Sequence, residues 1–162
     1  MAAKPPPSTL DGYMERSVTE LPFNRFLGLE AVESPKLLRL PAGDQYLNHL
    51  RTVHASAQLA LAEASSGEFL LRVLGPSAGF VPVVRRMEAK FRKAAHGAVT
   101  STVTTPEAAL LALQAELAEK RRAFISIAVE LHDSTSAHTL SASVEWFITA
   151  APANLPSESA NV

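Results

Sequence analysis

Between Thr52 and Leu74 the chain reads as one long helix with almost no polar side in its first half. Val53, Ala55, Ala57, Leu59, Ala60, Leu61, Ala62 and Ala64 leave little for water to meet. A helix that is apolar all round must be buried all round. Its alanines let other backbone elements pack close. The rest of the chain therefore has to supply a surface that encloses this helix, and a sheet with one apolar face curled about it is the expected solution. That is an α+β domain.

Four segments have the composition or alternation of strands. In Val83 to Lys93, Met87, Ala89 and Phe91 point one way, while Arg86, Glu88, Lys90 and Arg92 point the other. Ala98 to Thr104 is rich in threonine and valine, which suits a strand. Phe124 to His132 places Ile125, Ile127, Val129 and Leu131 on one face, and Thr139 to Thr149 does the same with Leu140, Ala142, Val144, Trp146 and Ile148. The link DSTSA between these last two reads as a hairpin turn. Thr105-Pro106-Glu107 opens a further helix, with Thr105 as cap and Pro106 at the first helical position. In that helix Glu116 and Lys120 can pair one turn apart. Upstream, Leu21 to Leu29 reads as a short helix with Pro22 in its first turn and Gly28 near its end. Val32 to Leu40 reads as extended, with Pro35 at a bulge or an edge, and a loop (PAGDQYLNH) follows.

A chain of 162 residues, 47% apolar, suits one domain with a genuine core. That domain is expected over residues 11–150, with tails at 1–10, where Pro5, Pro6 and Pro7 cluster, and at 151–162. Fifteen basic against sixteen acidic side chains argue against a nucleic-acid binder, which carries a basic surplus. With no cysteine, disulfides, thiolate zinc sites and a cysteine nucleophile are excluded. No apolar run nears the roughly 20 residues that cross a bilayer, and the N-terminus lacks the apolar stretch of a secretory signal. The expectation is a cytoplasmic protein without membrane insertion.

The chemistry concentrates in Asn48-His49-Leu50-Arg51-Thr52-Val53-His54-Ala55-Ser56, followed by Glu63 inside the apolar helix. A carboxylate in an apolar helix is expensive unless paired, protonated or used. Two readings stand side by side: a functional acid, or a side chain that turns out to solvent or to a partner such as Arg51.

The spacing Asn-x5-His, with an acid nine residues beyond the histidine, resembles the active-site segment of hotdog-fold acyl-CoA thioesterases. Asn48, His54 and Glu63 fall on that pattern in order, and the layout of elements agrees from Leu21 to Ile148. The inserted helix at 106–120 and the segment Phe91-Arg92-Lys93-Ala94-Ala95-His96-Gly97 look most like a poorly characterised branch of the superfamily. The family usually has glycine after the histidine, whereas Ala55 and Ser56 stand here. The backbone N–H survives that change while the room beside it shrinks.

The resemblance implies a curved antiparallel sheet around a central helix and hydrolysis of an acyl thioester without metal or organic cofactor. It also implies a homodimer or dimer of dimers. Thioester hydrolysis needs a donor aimed at the carbonyl oxygen and a base or nucleophile near the carbonyl carbon. A helix N-terminus offers unpaired N–H groups. Ala55 N–H is thus the expected oxyanion donor, with His54 shaping that site and Asn48 orienting the loop or the histidine. Glu63 cannot serve the same donor, because nine residues of helix span about 13 Å and end on the opposite side of the axis. Two antiparallel central helices from two subunits would bring each donor to its partner's acid.

Among secondary candidates, Arg86, Lys90 and Arg92, with Arg85 and Lys93, either hold the phosphates of coenzyme A or form a solvated strand face with Glu88 interleaved. Ser56 beside the donor and Ser66, with Ser65, just past the acid are candidate substrate contacts. His132 and His138 flank the hairpin turn, but no carboxylate cluster completes a metal-ligand set around them. His49 and His96 read as loop and turn residues. No Gly-x-Ser-x-Gly elbow or phosphate-binding glycine loop occurs. The sequence thus points to an acyl-CoA thioesterase, acting on coenzyme A or carrier-protein thioesters. The alternatives are a non-catalytic acyl-CoA or fatty-acyl binding module and a purely structural dimer.

Overall fold

The computed structural model describes residues 17–75 and 79–151; both expected tails, but for Ala151, lie outside them. Six strands form one antiparallel sheet in the order β1-β2-β4-β5-β6-β3. Their ranges are β1 Glu30–Ala31, β2 Lys36–Leu40, β3 Phe80–Phe91, β4 Val99–Val103, β5 Arg122–Asp133 and β6 His138–Ala150. Three α-helices accompany them: α1 Pro22–Phe26, α2 Ala55–Leu74 and α3 Glu107–Lys120. The sheet curves around α2, the hotdog arrangement.

The alternation in β5 and β6 accounts for the core. Ile125, Ile127, Val129 and Leu131 are buried from one strand, and Leu140, Val144, Trp146 and Ile148 from the next. They are placed side by side by a register that pairs Ile127 with Val144 and Leu131 with Leu140. Against them α2 sets Leu61, Ala62, Ala64 and Leu70. The helix is nonetheless not enclosed all round: Leu59, Ala60 and Glu63 are only half-buried. A single sheet covers one side of a cylinder, and the other side of the first half of α2 stays partly open.

Three local expectations need correction. Val32 to Leu40 is not one extended segment, because β1 and β2 pair through Glu30 with Arg39 and Ala31 with Leu38. Ser34 and Pro35 form the turn between them. Helix α2 begins at Ala55 rather than Thr52. Val53 donates its N–H to Ala95 O and bridges Leu47, which keeps it extended. Thr105 does not cap α3: its hydroxyl accepts the Ala128 N–H at 2.9 Å, and Pro106 takes the cap position. The expected Glu116–Lys120 pair is present at 3.2 Å.

Candidate functional site: the start and middle of the central helix

The loop before α2 is organised by one side chain. Asn48 Oδ1 accepts the N–H groups of Leu50 at 2.9 Å and Thr52 at 3.2 Å, while Nδ2 donates to Thr52 Oγ1 at 2.9 Å. The backbone closes with Asn48 N–H on Thr52 O, and Arg51 sits at φ 62° within the resulting loop. Asparagine suits this work because its carboxamide both accepts and donates near its own backbone. Of the two expectations for Asn48, the geometry is that of orienting the loop; its side chain makes no bond to His54.

That loop delivers His54 to the N-cap of α2. Its backbone N–H bonds Tyr46 O at 2.7 Å, and its ring Nδ1 accepts the Ser56 N–H at 3.0 Å. The carbonyl of His54 takes the N–H groups of Ala57 and Gln58. The first turn of a helix leaves its N–H groups without intrahelical partners, and here the ring and carbonyl of one histidine satisfy three. Ala55 N–H is left over, with no partner among the described residues. It is one donor at the positive end of a 20-residue helix.

Ala55 lines a cleft of about 300 Å³ with Asn48, Gln58, Phe91, Arg92 and Lys93. Of the sequence candidates, the cleft brings together Asn48, Ala55 and Arg92. Arg86 and Lys90 do not line it: both lie on β3, opposite Glu145 and Ser141 of β6, and Arg86 pairs with Glu88. Ser66 is fully buried, accepting the Trp146 indole N–H at 3.0 Å and donating to Glu63 O at 2.7 Å. It braces the helix turn that carries the acid. The Ser65 hydroxyl donates to Leu61 O and shares a hydrogen bond with the Ser101 hydroxyl, both at 2.6 Å. Ser56 is exposed beside the cleft, with its N–H already held by His54. His132 and His138 stack with ring centroids 5.0 Å apart, and His138 bonds Glu130.

The two carboxylates of α2 have opposite surroundings. Glu68 is buried and satisfied, accepting from Arg72 Nε at 2.9 Å, Val18 N at 3.3 Å and Ser17 Oγ at 3.4 Å. Glu63 is half-buried with no donor to its carboxylate among the described residues. Desolvation pushes its pKa above the ordinary glutamate value. It does not line the cleft that holds Ala55 of its own chain.

Sequence reasoning passed over Gln58. It lies beneath the same cleft at 3% exposure, its Nε2 donating to Val53 O at 3.3 Å. Its Oε1 is the one buried side-chain N or O atom without a partner among the described residues. A glutamine within a helical run carries no local signal of such a defect, which arises from the packing around Val53.

A family model described as a domain of unknown function (DUF4442) matches residues 33–148. The chain belongs to this family. No curated protein matches the chain. Among solved structures, the DUF4442 chain resembles a Pseudomonas aeruginosa protein of unknown function described as a probable thioesterase. The TM-score is 0.70 at 24% identity, covering 85% of this chain and 94% of that one. A Bacillus halodurans protein crystallised with CoA matches with TM-score 0.60 and 16% identity, over 78% of this chain and 74% of that one. A thioesterase from Haemophilus influenzae matches with TM-score 0.58 and 11% identity, over 88% and 91%. At these identities the likeness is one of fold.

Proposed function

We propose that this DUF4442 protein is an acyl-CoA thioesterase whose sites form between two copies of the chain. The observation that carries the reading is Glu63: a desolvated carboxylate that meets no donor among the described residues, on the same helix whose first N–H likewise meets no acceptor among them. Ala55 and Glu63 are eight residues apart, about 12 Å along the axis. One thioester carbonyl cannot touch both in one chain. Antiparallel α2 helices in a dimer would set each donor against its partner's acid. A route to that pairing is β3, a 12-residue edge strand that among the described residues bonds only β6, with Val83 and Phe91 exposed. A long unpaired edge is a template for pairing.

In this arrangement Glu63 takes a proton from water as the water oxygen adds to the thioester carbonyl. Charge collects on the carbonyl oxygen at Ala55 N–H, and the intermediate collapses by breaking the carbon–sulfur bond. The proton held by Glu63 passes to the departing thiolate, giving free acid and thiol. A carboxyl group whose pKa is raised by burial is a better base for this than an exposed one. Arg92 and Lys93 at the cleft suit the phosphates of coenzyme A or of a phosphopantetheine arm, and the CoA-bound neighbour supports that choice of carrier. Tests with short, medium, long and aromatic acyl-CoAs, reading released thiol, should show turnover that Glu63→Gln lowers at least about a hundredfold without loss of affinity. Saturable binding without turnover would instead mark an acyl-CoA binding module.

A further inference from the structure

We infer that Gln58 is the residue that recognises the carrier arm of the substrate, its side-chain carbonyl accepting the amide N–H nearest the thioester sulfur. The inference rests on the cleft being the seat of a thioester. Ala55 and Gln58 are three residues apart on α2, so they share a face, about 4.5 Å apart along the axis. One offers a free donor and the other a free acceptor, and both line the same cleft. A buried acceptor left without a donor is destabilising, and nothing in the described chain relieves it.

The substrate chemistry fits this pair. In a pantetheine thioester, a sulfur and two methylenes separate the carbonyl from the first amide nitrogen, about the reach of one helical turn. The carbonyl oxygen on Ala55 N–H therefore leaves that N–H within reach of Gln58. The direction of the arm agrees, since Arg92 and Lys93 line the same cleft. An arm running from phosphates at those cations to a thioester at Ala55 passes Gln58 with its amides, and the acyl group lies on the far side. Gln58 Oε1 is shielded from solvent, but the last torsion of a glutamine is soft. The 3.3 Å bond to Val53 is long, so a modest rotation brings the carbonyl to a bound donor.

The test uses two non-hydrolysable thioethers, octyl N-acetylcysteamine and octyl butyl sulfide, which differ in whether the arm carries the amide. Calorimetric titration of the wild-type protein should favour the amide-bearing ligand by about tenfold. In Gln58→Met, which keeps the volume, the ratio should fall to near one. An unchanged ratio in Gln58→Met, or no preference in the wild type, would overturn the inference. Gln58→Met relieves the unmet Oε1 but gives up the long Nε2 bond to Val53 O, so its Tm should fall by no more than about 5 °C, what one net hydrogen bond is worth. A large drop in Tm together with a preserved ratio would assign Gln58 a structural duty and would likewise overturn it. Thioester hydrolysis is read separately with octanoyl-N-acetylcysteamine. Discrimination without cleavage would retain Gln58 as the reader of the arm and remove the hydrolytic reading, whereas cleavage without discrimination does the reverse.

Discussion

Glu63 and Glu68 occupy one helix five residues apart, and what surrounds each decides its behaviour. Glu68 has three donors and should act as a structural acid. Glu63 has none among the described residues, and burial raises its pKa, so folding disfavours its charged form. The sign follows directly. An acid with a raised folded-state pKa contributes stability below its unfolded value, and that contribution is lost as pH rises through the folded value. Glu63→Gln should therefore raise Tm at neutral pH, with the gain disappearing below about the ordinary value of 4.5, as checked by thermal melts across pH. Asn48→Ala removes the side chain that holds the loop ahead of α2. It should lower stability by about 1–2 kcal/mol in urea titration and reduce turnover, since the loop delivers His54. Asn48, His54 and Glu63 could be singled out because their order and spacing resemble a family's active-site segment; the loop bonds of Asn48 and the N-cap bond of His54 are what the fold adds. Gln58 could not, because a missing partner for one oxygen is a property of three-dimensional packing rather than of a residue type.

The start of α2 offers a sharper test than any side-chain deletion. Ala55 is the first helical residue, and His54 before it has φ −59° and ψ 140°, a conformation compatible with a following proline. Ala55→Pro therefore removes the free N–H while leaving the helix intact. Turnover should fall about 10²–10³-fold with Tm nearly unchanged. At the end of β5, Asp133 ties the β5–β6 hairpin to the segment after β3. Its carboxylate accepts N–H groups from His96, Thr135 and Ala137 and the Thr135 hydroxyl. Burial pushes its pKa up, but these donors outweigh burial and hold it below the usual value. Asp133→Ala removes the acceptor of three part-buried N–H groups and should cost about 1–2 kcal/mol in denaturant titration. Strands β5 and β6 were legible because each alternates cleanly over its length. The β1–β2 hairpin was not, since so short a strand as Glu30–Ala31 carries no period. The true start of α2 was hidden because Val53 is apolar and helix-compatible, and the bond to Ala95 O and the bridge to Leu47 that hold it extended arise only in the folded chain.

At the scale of the molecule, the described residues of the single chain leave three things open at once: the β3 edge, part of the surface of α2, and the carboxylate of Glu63. A second copy related by a two-fold axis would address all three. Sedimentation should therefore give a mass of at least two chains. The apolar periodicity of α2 announced the sheet that covers one side, but a hydrophobic pattern does not say whether the remaining cover comes from the same chain or another. The most direct measurement mixes two variants, Ala55→Pro and Glu63→Gln, each inactive alone. After subunit exchange, half the dimers are mixed and each holds one intact site, so thioesterase activity should return to about a quarter of wild type. Exchange verified by differently tagged chains, with no recovery of activity, would contradict a site shared between two copies.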